Sequence, residues 1–565
     1  MLLTTKHLSA DIFGGVTAAV VALPLALAFG VQSGMGAITG LYGAIAVGFF
    51  AALFGGTQTQ ISGPTGPLAV VASVIIAGEI AFFGSLDKAI GTIVATFVMA
   101  GVFQILLGVF KIGQYIRYIP YPVISGFMSG IGSIIIIMQI FPFFGLVSPP
   151  NIVETISSLG DISGNINIEA LLLASATIAI IYLFPKLSKK VPSTLIALLS
   201  LTILSTYMGL GVSIIGDIPS SFPEIHVDTI LSLDWHNPML IVIPAITLAA
   251  LGSIDSLLTS VVADNMTKTQ HNSNKELIGQ GIGNMVAGII GGLPGAGATM
   301  RTVVNINAGG KTNLSGVIHA VVLVIILFAA GAYARLIPLP ILAGILITVG
   351  LSIIDYKGLK HLKEVPRADA VIMIIVLLLT IFVDLLQAVG LGMVLASILF
   401  MKHMGDIGEH KSVSKTLKEF HEAFPPSSEE RESYSAIEDQ VYIQHFNGPI
   451  FFGFTAHFKQ MMQELPEVSV VIFRMYNVPS IDQSGMYVLE DAIHELNSRD
   501  ITVFITGITE QPRRMLENIK VIPVLVPINH IFPDLTAALQ MLKEHQNNFK
   551  TTNNKKNMHK ILWNE

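Results

Sequence analysis

The sequence predicts an α-helical membrane protein that carries a small α/β domain at its carboxyl end. Of its 565 residues, 52% are hydrophobic and only 12% are charged, whereas soluble chains carry about 25% charged residues. Apolar runs long enough to cross a bilayer recur from Asp11 to about Lys402. Beyond that point the chain becomes polar, and short apolar strands alternate with amphipathic helices.

The composition also narrows the classes of function. The net charge of −6 argues against a nucleic-acid partner. The chain has no cysteine, which excludes disulfides, thiolate metal sites and a cysteine nucleophile. It has no GxxxxGK[ST] loop, so an ATP-driven pump is not expected. The first apolar run, 11–30, is longer than a signal-peptide core and lacks a clean cleavage site, so we interpret it as the first span.

The apolar runs predict about fourteen membrane segments, two of them short and broken. In chain order they are 11–30, 35–53, 67–77, 89–109, 121–144, 168–183, 194–208, 238–262, 277–290, 299–308, 315–332, 338–354, 368–385 and 387–401. With the amino terminus inside, the cytoplasmic loops hold the basic residues, whereas the long opposite loops, 147–169 and 209–237, hold none. This asymmetry predicts a multi-pass protein of the inner (plasma) membrane with both termini cytoplasmic.

Two stretches break the apolar pattern in a matching way. Residues 55–67 read GGTQTQISGPTGP and residues 291–299 read GGLPGAGAT, each with a double glycine, a glycine-rich break and then a threonine that opens a helix. Broken backbone at membrane depth is tolerated only where it faces protein or a water-filled cavity. Paired breaks at corresponding places in the two halves of a membrane domain indicate a transporter binding site. The alternative is that both breaks are kinks that only help the helices to pack.

Asp255 and Thr259 lie four residues apart in an apolar run and share one helix face. Their oxygens are hard ligands suited to Na⁺, while a lone carboxylate would also serve as a proton carrier. The alternative to both ion-binding roles is a structural hydrogen bond between helices, with no ion bound. The break at 295–299 would present backbone amides to an anion, as 63–67 would from the opposite side. Arg301 would supply positive charge for that anion or pair with a carboxylate.

The polar end of the chain predicts an α/β domain on a mixed sheet. Strands are predicted at 441–446, 468–473 and 501–506, and helices at 483–497, 511–518 and 534–544. The predicted organisation is a transmembrane transport domain over 1–402, a charged linker over 403–440, the α/β domain over 441–545 and a disordered tail over 546–565.

These features resemble the SulP family of anion transporters over nearly the whole chain. The sequence GLYGA at 40–44, followed by the stretch at 55–67, resembles the family's motif after the second span, and the terminal domain resembles a STAS domain. The resemblance implies a seven-plus-seven inverted repeat divided into core and gate domains, with the substrate between segments one, three, eight and ten. It also implies a homodimer formed through the STAS domain.

Within this family the chain is most similar to the BicA type, the sodium-dependent bicarbonate transporters of cyanobacteria, through stretches such as LLTSVVAD, HNSNKELIGQGIGN and GLPGAGATM. The resemblance implies a Na⁺ site formed by Asp255, Thr259, Gly297, Ala298 and Thr299. It implies a substrate site formed by Thr65 and the two half-helix ends, which include Gly66, Ala298 and Thr299. Ala26 and Arg301 are the remaining candidate substrate residues.

Three residues depart from the patterns that this resemblance leads us to expect. Leu25 follows Pro24, where many relatives have glutamine, and Arg301 stands where a small residue is expected in the BicA type. Gln483 follows Asp482, where the related anti-sigma antagonist pattern has a phosphorylatable serine, so no phosphoswitch is predicted there.

The sequence therefore favours a secondary transporter, not an enzyme, that moves bicarbonate or another small inorganic anion across a lipid membrane together with Na⁺. Proton-coupled uptake of sulfate or a dicarboxylate, with Asp255 carrying the proton, is the second hypothesis. A third is a channel or a membrane-anchored signalling scaffold whose working part is the terminal domain. The carboxylate inside an apolar run argues against this third hypothesis, because such groups in membranes are rare unless they are used.

Overall fold

The computed structural model describes residues 7–149, 151–188, 191–215, 223–231, 238–383, 385–411, 413–419, 439–452, 458, 462 and 465–549. The chain divides into two compact units, Met1–Ala396 and Ser397–Glu565. Residues 420–438 of the predicted linker and 550–565 of the predicted tail lie outside the described residues.

The first half of the membrane unit contains seven long segments and one short helix. They are α1 (Leu8–Ser33), α2 (Ala37–Phe54), α3 (Gly66–Phe83), α4 (Leu86–Val109), α5 (Tyr121–Phe143), the short α6 (Ile152–Ser157), α7 (Ile168–Leu187) and α8 (Ser193–Met208). Proline at the start of α3 and of α5 suits the first helical turn, where a missing N–H costs nothing.

The second half repeats this order after a short helix, α9 (Val227–Leu231). Its elements are α10 (Met239–Thr267), α11 (Ser273–Ile289), α12 (Thr299–Asn307), α13 (Asn313–Ala334), α14 (Leu339–Ile353), the short α15 (Tyr356–Lys360), α16 (Arg367–Phe382) and α17 (Leu385–Lys411). Across the described residues, eight helices are long and apolar enough to cross a membrane and three shorter ones are also apolar. The predicted helical membrane fold is confirmed.

The two halves are related as an inverted repeat. In each, two helices are followed by a two-residue strand, a half-helix and another helix, and the strands β1 (Ser62–Gly63) and β2 (Ala296–Gly297) pair antiparallel. Helices α1–α4 pack among α10–α13, whereas α5, α7, α14 and α16 pack mainly on one another. We call these two sets the core and the gate, as the sequence predicted.

Glycines allow the core helices to approach closely. A Cβ at Gly101 of α4 would lie 2.5 Å from the carbonyl oxygen of Gly281 of α11, and a Cβ at Gly281 would lie 2.5 Å from that of Gly101. Small residues at such crossings let backbones touch, which is how membrane helices associate without a hydrophobic driving force.

We therefore expect Gly101→Leu to push α4 and α11 apart and to destabilise the protein, since overpacking typically costs about 1–3 kcal/mol. Gly78 of α3, whose Cβ would meet no atom within 4 Å, offers a matched control. Thermal unfolding in detergent should show a lower midpoint for Gly101→Leu and an unchanged one for Gly78→Leu. Equal midpoints for the two variants would contradict this account of the packing.

The second unit is an α/β domain built on one mixed sheet. Its elements are β3 (Val413–Thr416), β4 (Val441–Asn447), β5 (Val470–Asn477), α18 (Gln483–Ser498), β6 (Thr502–Thr506), α19 (Glu510–Asn518), β7 (Ile531–Phe532) and α20 (Leu535–Phe549). The strand order is β3-β4-β5-β6-β7, with β3 antiparallel to β4 and the other neighbours parallel. The rings of Phe446, Phe458 and Phe473 pack together in its core.

The sheet begins earlier in the chain than the sequence pattern indicated. Strand β3 comes from the range predicted as linker, 403–440, and pairs with β4 from Val413 opposite His445 to Thr416 opposite Tyr442. Its sequence, VSKT, has too few apolar residues to predict a strand. Strand β3 forms the edge of the sheet and pairs with a neighbour on one side only, so it can be more polar than the central strands. Helix α20 likewise continues into the range predicted as tail.

Candidate functional site

The site is built around the place where the two broken segments cross. Ser62 pairs with Gly297 and Gly63 with Ala296, and the amide of Ala298 donates to the carbonyl of Ile61 at 2.8 Å. A Cβ at Gly295 would lie 2.3 Å from the carbonyl carbon of Gly63, so only glycine fits there. The glycine-rich sequence is therefore required by the close approach of two backbones, and both half-helices start from this crossing.

The amino ends of the half-helices remain open to a ligand. Thr65 is the N-cap of α3 and Ala298 is the N-cap of α12, and neither end has a side chain that caps it. The Thr65 hydroxyl is buried and lies beside the Asp255 carboxylate. The first backbone N–H groups of a helix lack partners within the helix and carry partial positive charge. Both ends can therefore bind an anion.

Three of the predicted Na⁺ ligands lie in direct contact. The hydroxyl of Thr259, which is fully buried in α10, donates to the carbonyl of Gly297 at 2.8 Å and lies 2.7 Å from the hydroxyl of Thr299. Asp255 lies one helical turn earlier, and its buried Oδ2 has no hydrogen-bond partner in the described part of the chain. Side-chain and backbone oxygens thus converge one helical turn from the Asp255 carboxylate.

Asp255 faces both the first half-helix and the gate. Its carboxylate lies beside the Thr65 hydroxyl and within electrostatic reach of Arg301. A small cavity next to it is lined by Pro67 at the start of α3, by Val123 and Phe127 of the gate helix α5, and by further residues of α10 and α17. The carboxylate therefore lies at the boundary along which the core contacts the gate.

Arg301 reaches across the crossing and contacts the first broken segment. Its side chain is 1% exposed, and the guanidinium donates to the carbonyl of Pro64. Its Nε and Nη1 atoms have no partner among the described residues, and a Cβ at Gly63 would lie 2.7 Å from Nη1. Arg301 lies within electrostatic reach of Asp255 and has N–H donors that no described residue accepts from.

The other two predicted substrate residues are placed differently. A Cβ at Gly66, in the first turn of α3, would lie 2.7 Å from Ile353 and 2.9 Å from Ile135, both in gate helices. Gly66 thus marks the contact between the amino end of α3 and the gate. Ala26 is fully buried in α1, and a Cβ at Gly40 of α2 would lie 1.9 Å from its carbonyl oxygen. This places Ala26 in the packing of α1 on α2.

The sequence reasoning missed a second row of hydroxyls beside the first. Ser256 accepts from the amide of Gly297 at 3.1 Å, and the hydroxyl of Ser260 lies 2.8 Å from that of Thr57 and donates to Gln60 at 3.0 Å. Ser256 and Ser260 directly follow Asp255 and Thr259 in the chain, so the same four-residue spacing marks a neighbouring stripe on α10. That spacing was the signal that could have found them.

The comparisons with known proteins agree with this architecture. Residues 8–376 match the model of the sulfate permease family, and residues 435–538 match that of the STAS domain. The bicarbonate transporter BicA of Picosynechococcus sp. is 41% identical over 92% of each chain, and that of Synechocystis sp. is 43% identical over 95% of this chain and 94% of its own. The solved transmembrane domain of a cyanobacterial BicA is 47% identical, with a TM-score of 0.64 over 68% of this chain and 98% of that domain.

The family match covers well over half of the chain, and it coincides with the inverted helical repeat and with the terminal α/β domain described above. The chain therefore belongs to the sulfate permease, or SulP, family of multi-pass anion transporters and carries that family's STAS domain.

Proposed function

We propose that this protein is a Na⁺-coupled bicarbonate symporter that works by alternating access. The observation that carries the proposal is the convergence of the Gly297 carbonyl and the Thr299 hydroxyl on the Thr259 hydroxyl, at 2.8 and 2.7 Å, one helical turn from Asp255, whose Oδ2 has no hydrogen-bond partner among the described residues. The two relatives named as bicarbonate transporters, 41% and 43% identical, support the choice of anion.

The donor set fits a small hard cation. All the atoms are oxygens, one of them on a carboxylate, and nitrogen or sulfur ligands that would favour a transition metal are absent from this cluster. A carboxylate oxygen buried without a partner is costly in hydrocarbon, and a bound cation would remove that cost. Na⁺ held by Asp255, Thr259, Gly297 and Thr299, with Ala298 between the last two, meets this requirement.

The charges of the loaded site balance for a monovalent anion. Asp255 and bicarbonate supply two negative charges, whereas Arg301 and Na⁺ supply two positive ones. Because Arg301 is buried beside Asp255, the site without ligands is already near neutral. Each ion alone would leave one uncompensated charge, so the binding of either favours the other. Such coupling between two ligands is typically worth about 1–3 kcal/mol.

Alternating access follows from the division into core and gate. The site residues belong to α3, α10 and α12 of the core, while Ile135 and Ile353 of the gate cover Gly66 at the anion end of α3. Sliding or rocking of the core against the gate would uncover this end on one side and then on the other. We place the protein in the inner membrane with both termini cytoplasmic and assign dimerisation to the STAS domain.

The proposal predicts that purified protein in liposomes takes up radiolabelled bicarbonate when an inward Na⁺ gradient is imposed at fixed pH. A K⁺ gradient of equal size should drive much less uptake, because the proposal assigns the coupling to Na⁺. Sulfate and fumarate run in parallel should accumulate much less. A rate of bicarbonate uptake that does not depend on Na⁺ would contradict the proposal.

Proton-coupled uptake of sulfate is the second candidate function. The observation that favours it is the buried Arg301 near the amino ends of the two half-helices. A divalent anion such as sulfate would bring one more negative charge, and a proton on Asp255 together with Arg301 would offset part of it. In that case a pH gradient, with the acidic side outside, would drive sulfate uptake in the liposome assay without Na⁺.

A further inference from the structure

Helix α11 carries a row of polar side chains that the transport cycle above does not use. Glu276, Gln280 and Asn284 are spaced four residues apart, so they share one face of the helix. All three are at most 2% exposed. They belong to the stretch HNSNKELIGQGIGN that the sequence analysis singled out. Three buried polar groups in a membrane helix are expensive unless something requires them.

Each of these side chains holds one of the two broken segments. Glu276 accepts from the backbone amides of Gly56 and Thr57 with one oxygen, both at 2.8 Å, and from the side-chain amides of Gln60 and Gln280 with the other, at 2.8 and 2.9 Å. Gln280 also donates to the Ser62 hydroxyl at 2.5 Å.

Asn284 holds the second broken segment by the same means. It accepts from the amide of Gly295 at 2.7 Å and donates to the carbonyl of Gly295 at 2.9 Å and to Gln104 at 2.6 Å. The row therefore fixes the backbone on both sides of the crossing from a single helix.

Gln60 connects Glu276 to the predicted cation ligands, because it contacts Glu276 on one side and Gly297 on the other. Gln60 donates to Glu276 and accepts from Ser260, the residue next to Thr259 on α10. Gln60 also packs directly on the backbone that offers a cation ligand, since a Cβ at Gly297 would lie 2.3 Å from its amide nitrogen. The orientation of Gln60 thus sets where the Gly297 carbonyl and the α10 hydroxyls lie.

From this geometry we propose that Glu276 is a positioning residue for the cation site, acting through Gln60 without touching the ion. The inference rests on the proposed Na⁺-coupled function. Every partner of Glu276 is a donor, so the charged carboxylate satisfies all of them. In Glu276→Gln the new amide nitrogen faces donors whichever way it turns. The backbone amides of Gly56 and Thr57 cannot turn over, so we expect the nitrogen to point at Gln60, whose amide must then turn over, which disturbs its bond to Ser260.

Asp11 provides a matched control in the other repeat. It is also fully buried and accepts from two backbone amides, those of Lys311 and Thr312, at 2.7 and 3.0 Å. These amides lie in the turn between α12 and α13, outside both broken segments. Asp11→Asn therefore removes a similar carboxylate from a similar set of donors without a path through Gln60.

The test is the Na⁺ concentration that gives half of the Na⁺-dependent rise in unfolding temperature of the full-length protein. We expect it to increase at least about tenfold in Glu276→Gln, which corresponds to about 1.4 kcal/mol. Gln60→Leu, which cuts the path but leaves Glu276 in place, should show the same shift even if Glu276→Gln folds poorly. Asp11→Asn should keep the wild-type value.

The outcomes separate this inference from the function on which it rests. If the wild type responds to Na⁺ but Glu276→Gln and Gln60→Leu respond at the same concentration, the positioning role is wrong. An equal shift in Asp11→Asn would make the effect a general loss of structure and would also overturn it. A wild type that shows no Na⁺-dependent stabilisation and no Na⁺-driven uptake would refute the Na⁺-coupled function itself, and the role of Glu276 with it.

Discussion

Replacing Asp255 by asparagine is expected to abolish Na⁺-driven bicarbonate uptake, with a loss of at least about 100-fold in rate at a given Na⁺ concentration. The substitution keeps the shape of the side chain but removes its negative charge, which the proposed Na⁺ site requires. Removing one partner from a buried set of charges typically costs about 3–5 kcal/mol. In Asp255→Asn, Arg301 would also lose its nearby negative partner.

The measurement is initial uptake of radiolabelled bicarbonate into liposomes at fixed pH over a series of Na⁺ concentrations. Asp264, which lies on the same helix and pairs with His271 at 2.6 Å, gives a control outside the site. Asp264→Asn should retain Na⁺-driven uptake. If Asp255→Asn also retained it, the cation site would have to lie elsewhere. If, in a separate assay without Na⁺, a pH gradient drove anion uptake in the wild type but not in Asp255→Asn, Asp255 would be a proton carrier and not a Na⁺ ligand.

The sequence predicted the parts of the site that depend on local pattern. The four-residue spacing of Asp255 and Thr259 placed them on one face of α10, and the paired glycine-rich breaks indicated half-helices that meet at mid-membrane. The structure brings Thr259, Gly297 and Thr299 together at this crossing. Their roles in binding Na⁺ and bicarbonate remain predictions.

Long-range partners could not be predicted in the same way. Gln60 and Glu276 are 216 residues apart in the chain, and nothing in either local pattern states that they form a hydrogen bond. The same holds for Arg301, whose sequence position allowed either an anion or a carboxylate as its partner. Its contact with the Pro64 carbonyl depends on the pairing of two strands that are only two residues long. Edge strand β3 was missed because its polar sequence carries no strand signal.

Replacing Arg301 by methionine should change the affinities for the two ions in opposite directions. Methionine fills much of the same volume but has no charge, so Na⁺ would meet Asp255 without a competing cation and should bind more tightly. Bicarbonate would lose a buried donor group with unused N–H bonds. Because truncating a buried hydrogen-bonded charge costs about 2–5 kcal/mol, the KM for bicarbonate should rise at least about 30-fold.

Opposite shifts of this kind cannot arise from a loss of folded protein, which would lower the maximal rate and leave both affinities unchanged. The measurements are the KM for bicarbonate at saturating Na⁺ and the Na⁺ midpoint of thermal stabilisation in the absence of bicarbonate. Arg301→Lys keeps the charge but loses the planar guanidinium that reaches Pro64. Its KM for bicarbonate and its Na⁺ midpoint should both lie between those of the wild type and of Arg301→Met. If Arg301→Met left the KM unchanged, Arg301 would serve only to join the two broken segments, and the charge-balance argument for a monovalent anion would lose its support.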